Sequence, residues 1–158
     1  MKSRCLDDIP LGATVSITSR GRSVFLNDRL RPLGLSAGLF PVLMLLYKEQ
    51  NIMQETLVRH YRLDKGTIAR AVRKLEDAGY IRRITDPGNR RAVRLFLTVK
   101  GKEAAPLLRA IDREWEERIL TGLSPEEKHY VQELMHTVAR NSFSGCVQER
   151  GDDFDARR

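Results

Sequence analysis

The stretch "DKGTIARAVRKLEDAG", Asp64 to Gly79, constrains the fold more than any other, because it marks both ends of a helix and one apolar face. Asp64 is a side chain suited to accept from the free N–H groups of a first turn, and Gly79 suits a left-handed stop. Between them Ile68, Val72 and Leu75 share one face with Ala71 beside them, while Gly66, Arg70, Arg73, Lys74 and Asp77 lie opposite. The pattern predicts a helix of about fifteen residues, apolar on one side and basic on the other.

What flanks this helix narrows the choice further. Ahead of it "MQETLVRHY", Met53 to Tyr61, predicts a shorter helix, with a turn at Arg62 and Leu63 between the two. Behind it "YIRRIT" and "AVRLFLTV" stand on either side of "DPGNR", two strand-like runs about a Pro-Gly turn that predict a hairpin. In the second run Val93, Leu95 and Leu97 fall on one side, and Arg94 and Phe96 on the other.

The remainder reads as helix. Residues 10–31 are expected to be helical although Gly12 and Gly21 weaken the pattern, and Pro32 and Gly34 end it. Ser36 is a candidate N-cap for a buried helix through "LFPVLMLLYKEQ", within which Pro41 requires either a later start or a bend. Lys100 to Leu120, and Ser124 to about Phe143, complete the set; their stripes are Leu107, Leu108, Ile111, Trp115 and Ile119, and Val131, Leu134, Met135 and Val138. The polar segment 145–158 is expected to be a flexible tail. The fold class expected is mainly α with a small β-hairpin wing.

Charge points to a partner. The formal net charge is +7 over 158 residues, more than solubility needs, which favours a polyanion. No apolar run is long enough to span a bilayer, no secretory signal is read at "MKSRCLDDIP", and a cytoplasmic location is expected. Cys5 and Cys146 form no disulfide framework or CxxC pair. No phosphate-binding glycine loop, HExxH or G-x-S-x-G motif supports an enzyme, and no cofactor is expected.

A basic helix face can be simply solvated. Here, however, Gly66, Thr67 and Ala69 leave its N-terminal end nearly free of bulk, as a helix entering a major groove about 12 Å wide requires. Arg90 and Arg91, at a hairpin tip beside it, suit the negative potential of a narrowed minor groove. Together the parts form a winged helix-turn-helix with double-stranded DNA as its partner.

Residues 33–101 resemble the DNA-binding domain of the MarR family of transcriptional regulators, most specifically in "DKGTIARAVRKLEDAGYI" and in the wing ending "LTVKG". The helices over 10–32 and 102–144 match that family's dimerisation region. The resemblance implies a homodimeric regulator, usually a repressor, on a pseudo-palindromic operator, released by a small lipophilic or phenolic ligand. It implies recognition-helix contacts from Lys65, Gly66, Thr67 and Arg70, phosphate contacts from Arg73 and Lys74, and a wing-tip arginine at Arg91. The family commonly has an aspartate where this chain has Asn89, so Arg90 shares candidacy with Arg91, and Asn89, Arg90 and Arg91 together are the candidate DNA-binding residues of the wing; Arg62 stands where the family often has glycine.

One branch of the family senses peroxide through an N-terminal cysteine, which makes Cys5 a redox candidate. A non-specific architectural DNA-binding protein is the other alternative. Glu126, His129, Glu133 and His136 share a face of the last helix, but helical His and Glu spacing rarely specifies a metal, so they read as a solvent face. Arg20, Arg22, Tyr47 and Arg113 lie on elements that could border a ligand cleft, with no spacing rule to select among them.

Overall fold

Helix α1 runs from Leu11 to Leu30 in spite of its two glycines. Hydroxyls of Thr14, Ser16, Thr18 and Ser23 bond the carbonyl four residues back, which is how a polar helix satisfies them. Only its C-terminal part is buried, at Phe25, Leu26 and Leu30; Leu11, Val15, Ile17 and Val24 are exposed. The computed structural model describes residues 8–86 and 88–144, and for 86, 90 and 91 the backbone alone. Cys5, Cys146 and the expected tail, 145–158, lie outside the described residues.

A 3-10 turn, Arg31–Leu33, closes on Gly34, whose φ of +68° is open to glycine without strain. Helix α2 is Phe40–Lys48, so of the two options Pro41 allowed, the later start is realised. Pro41 occupies the first turn, where its missing N–H has no intrahelical acceptor to lose. Ser36 is therefore not the N-cap: it contributes its carbonyl, which accepts from the N–H groups of Leu39 and Phe40 at 2.9 and 3.3 Å.

Strand β1, Ile52–Met53, precedes helix α3, Gln54–Tyr61; the expected helix thus loses Met53 to a sheet. After the Arg62 turn come helix α4, Lys65–Asp77, and the hairpin of β2, Ile81–Asp86, and β3, Asn89–Leu97. The sheet is antiparallel in the order β1-β3-β2, with Ile52 opposite Leu95 and Ile81 opposite Leu97. Its register shifts between Thr85 and Asp86, at the approach to the turn. Leu95 and Leu97 are buried as the alternation required, on the same core as Ile68, Val72 and Leu75 of α4.

The two ends of α4 are built from local bonds. At its start Asp64 accepts from the Thr67 N–H. At its end the Gly79 N–H reaches the Glu76 carbonyl and the Tyr80 N–H the Leu75 carbonyl, the paired bonds of a Schellman stop, with Gly79 at φ +77°. Tyr80 is thereby turned inward, buried, with its hydroxyl donating to the Leu33 carbonyl at 2.8 Å.

Helix α5, Val99–Ile119, carries Pro106 on an exposed side, where water can serve the carbonyl that has lost its donor. Leu108, Ile111 and Trp115 of its stripe are buried; Leu107 and Ile119 are not. The chain divides into two compact units between Trp115 and Glu116. The second unit contains helix α6, Pro125–Ser144, opened by a reciprocal cap in which the Glu127 N–H donates to Ser124 Oγ and the Ser124 N–H to Glu127 Oε2. No residue of α6 is buried, and Tyr130, Leu134, Met135 and Phe143 are exposed.

Candidate nucleic-acid interface

Helices α3 and α4 are held at their turn by a strained residue. Arg62 takes φ 50° and ψ 36°, the left-handed region, which costs a residue with a Cβ on the order of 1 kcal/mol. Leu57, fully buried, pins α3 from below, and the Tyr61 hydroxyl donates to the Pro41 carbonyl at 2.7 Å. The turn angle is thus tied to α2.

Along α4, Lys65, Gly66, Arg70, Arg73 and Lys74 are exposed and Thr67 half-buried, while Ile68, Val72 and Leu75 are buried beneath them. The face expected to be basic is basic. Its first turn is not bare, however. Asp64 accepts from the Thr67 backbone N–H at 2.8 Å and from the Thr67 hydroxyl at 2.5 Å, and Arg70 Nη2 donates to Thr67 Oγ1 at 2.9 Å. The Thr67 hydroxyl and N–H, followed by the nearby Arg70 charge, hold the Asp64 carboxyl below the usual carboxylate range.

The wing is fastened to this helix by a contact that sequence reasoning missed. Arg83 of β2 lies against Glu76 of α4, with Nε to Oε2 at 2.6 Å, Nη2 to Oε2 at 2.5 Å, and the Arg83 backbone N–H to Oε1 at 3.3 Å. Other cations near the wing are also turned to the protein. Arg82 lies over the Phe96 ring, and Lys100 donates to the Ala78 carbonyl while covering the Tyr80 ring. Arg94 Nη1 reaches Asn51 Oδ1. Asn89 is exposed in the first position of β3, paired across the turn with Asp86; the side chains of Arg90 and Arg91 lie outside the described residues.

Thr98 joins the hairpin to α5. Its hydroxyl donates to the Gly79 carbonyl at 2.6 Å and accepts from the Gly101 N–H at 3.0 Å, capping the helix. Gly101 is required there, because a Cβ would fall on the Tyr80 carbonyl.

Two clefts border the helices and strands of the first unit. One, of about 240 Å³, is lined by Met53, Gln54, Glu55, Val58, Lys65, Ala92 and Val93. The other, of about 460 Å³, is lined by Met44, Leu45, Tyr47, Lys48, His60, Tyr61 and Arg109. Tyr47 is the one candidate for a ligand cleft that borders either; Arg22 is instead paired with Asp112 at 2.9 Å, and Arg20 and Arg113 are exposed. His60 lines the larger cleft with its ring edge-on to Tyr61.

Comparison with known proteins places these elements in a family. The MarR family model matches residues 35–93. The Bacillus subtilis HTH-type transcriptional regulator YybA is 34% identical over 127 residues, covering 80% of this chain and 85% of that protein. A MarR transcriptional regulator from Methanosarcina mazei superimposes with a TM-score of 0.80 at 35% identity, over 84% of this chain and 95% of that one. A MarR-family regulator from Listeria monocytogenes in complex with a 26mer DNA superimposes with a TM-score of 0.79 at 26% identity, over 84% and 89%.

Proposed function

This chain belongs to the MarR family of HTH-type transcriptional regulators, and we propose that it acts as a homodimer, as a repressor, on a pseudo-palindromic operator. The observation that carries this reading is the two-faced helix α4, buried at Ile68, Val72 and Leu75 and exposed at Lys65, Arg70, Arg73 and Lys74, with a wing fastened beside it by Glu76 and Arg83. In the reading, α4 enters the major groove, with Lys65, Gly66, Thr67 and Arg70 towards the bases and Arg73 and Lys74 towards phosphates. The wing strand beginning at Asn89 carries Arg90 and Arg91 to the neighbouring minor groove.

Two observations support the homodimer. Leu11, Val15, Ile17 and Val24 of α1 are exposed, and so are Tyr130, Leu134, Met135 and Phe143 of α6. Apolar positions in such number call for a cover, and a second copy with two-fold symmetry supplies one and sets two α4 helices on successive turns of a duplex. Residues 33–101 are then the DNA-binding part, and 10–32 with 102–144 the dimerisation region. A repressor works here by occupying the operator in place of the transcription machinery.

Release by a small lipophilic or phenolic ligand is supported by the cleft of about 460 Å³, whose lining joins apolar Met44 and Leu45 to Tyr47, Tyr61 and the cations Lys48 and Arg109. Such a lining suits an aromatic anion. Selection of bound duplexes from a random pool, with sedimentation of the protein alone, tests the reading. Two inverted half-sites about ten base pairs apart and a dimeric mass are expected. Capture of duplexes without an enriched motif would instead favour the architectural alternative.

A further inference from the structure

The first turn of α4 contains three side chains linked in series: Asp64 accepts from the Thr67 hydroxyl at 2.5 Å, and Thr67 Oγ1 accepts from Arg70 Nη2 at 2.9 Å. A threonine hydroxyl has one proton. Given to Asp64, it leaves Oγ1 facing Arg70 purely as an acceptor. The second Asp64 oxygen is held by the Thr67 backbone N–H at 2.8 Å, so the carboxylate end of the series is fixed to the helix start.

Gly66 is the space this arrangement uses. A Cβ there would stand 3.1 Å from Asp64 Oδ1 and 3.3 Å from Arg70 Nη1, tighter than nearly all ordinary contacts. The Arg70 guanidinium is thus folded back along the helix start over Gly66, where other arginine rotamers would extend into solvent.

We propose that Asp64 and Thr67 are positioning residues for base recognition, holding the Arg70 guanidinium in a single orientation in which its remaining N–H groups form a fork for O6 and N7 of one guanine in each half-site. The proposal rests on the reading of α4 as the recognition helix. Arginine has five donors in a rigid plane, and one of them fixed by Thr67 leaves enough for a bidentate guanine contact. Orientation before binding means that less side-chain freedom is lost on binding, so the arrangement bears on which base is chosen more than on general attraction to phosphate. Thr67 thereby acts through Arg70, its hydroxyl proton being committed to Asp64. Gly66 serves the guanidinium as much as the approach of backbone to DNA.

The test uses the full chain with Thr67→Val, which keeps the backbone cap and shape but removes the hydroxyl, and Thr67→Ser, which restores it. Asp64→Asn is the second disruptive variant, because an amide nitrogen in place of Oδ2 cannot accept the hydroxyl proton, which then no longer fixes Oγ1 as an acceptor for Arg70. Each protein is titrated with the duplex selected by the wild type, with that duplex carrying 7-deazaguanine at single positions, and with scrambled duplex; thermal unfolding is followed in parallel. At one guanine per half-site, loss of N7 should weaken the wild type and the serine variant about tenfold, and the valine and asparagine variants less than about threefold. The readout is the ratio of affinities for the unmodified and the 7-deaza duplex within each protein, which is independent of the general gain in affinity expected when Asp64→Asn removes a negative charge from this face. Equal sensitivity to 7-deazaguanine in the valine and asparagine variants would overturn the positioning role while leaving α4 as the reading helix. A wild type without any preferred duplex would overturn that underlying reading, and this proposal with it.

Discussion

Arg83 on the first wing strand and Glu76 near the end of helix α4 form an ion pair through two guanidinium nitrogens at 2.6 and 2.5 Å from the same carboxylate oxygen. The pair links the two elements that the proposed function sends to adjacent grooves. Its side chains are 42% and 31% exposed, so a double-mutant cycle on stability with Glu76→Ala and Arg83→Ala should give a coupling of about 0.5 kcal/mol. Affinity for the operator should fall roughly twofold to fivefold for Glu76→Gln, because a loosened wing costs positional precision.

The same pair sets a pH dependence. The Arg83 side chain first, and then its backbone N–H, hold the Glu76 carboxyl below its ordinary value of 4.5. Since the folded value is the lower one, the contribution is intact above pH 4.5 and is lost as pH falls through the folded value. Acid titration of unfolding should therefore show a smaller loss below that pH in Glu76→Gln than in the wild type.

Arg62 has a left-handed backbone at φ 50°, which glycine adopts without penalty. Arg62→Gly should be more stable than Arg62→Ala by about 1 kcal/mol, the reverse of the order at a right-handed helical position. Denaturant unfolding of the two variants measures this directly.

Gly101→Ala should destabilise the chain by roughly 1–3 kcal/mol, since its Cβ would meet the Tyr80 carbonyl, which is backbone and is held by the Thr98 N–H at 3.0 Å. Loss of the tight junction also displaces the hairpin from α5, so DNA binding should weaken with stability. Melting and operator titration on the same preparation check both.

Tyr47 donates its hydroxyl to the Gly101 carbonyl, and burial, with the neighbouring Tyr80 adding to it and Arg109 opposing, pushes its pKa up to about 12. A phenol whose folded value is raised contributes stability in full below the ordinary value of 10, and that stability is lost as pH rises from 10 towards 12. Tyr47→Phe should lose about 1 kcal/mol at neutral pH and flatten the alkaline decline. Unfolding followed from pH 8 to about 12 distinguishes the two proteins.

The legibility of this chain tracks how local its signals are. Asp64 and Gly79 marked both ends of α4 because cap and Schellman stop are made within a few residues of them. Ser36 misled, because hydroxyl chemistry near a helix start looks the same whether or not it caps, and Pro41 in the first turn was the better guide to where α2 begins. Strand β1 has two residues, too few for any alternation, and exists through pairing with Leu95 and Arg94 more than forty positions away.

The site was legible by face but not by contact. A helical wheel separates Arg70, Arg73 and Lys74 from Ile68, Val72 and Leu75, yet it cannot show Arg70 folded back onto Thr67 over Gly66. Glu76 and Arg83 are seven positions apart on different elements, and only the turn at Gly79 brings them together. Among the nine residues assigned to DNA from sequence, Arg90 and Arg91 are those whose side chains lie outside the described residues.

The central claim, that α4 reads bases through Arg70 while its other cations bind backbone, is tested most directly by titrating Arg70→Ala and Lys74→Ala against the selected duplex and scrambled duplex at about 150 mM salt. Wild type should prefer the selected duplex by about 10³ or more. Arg70→Ala should reduce that ratio tenfold or more, whereas Lys74→Ala should weaken both duplexes alike and keep the ratio, with a salt slope lower by about one. Parallel loss of affinity in both variants, with the ratio unchanged in each, would contradict the account.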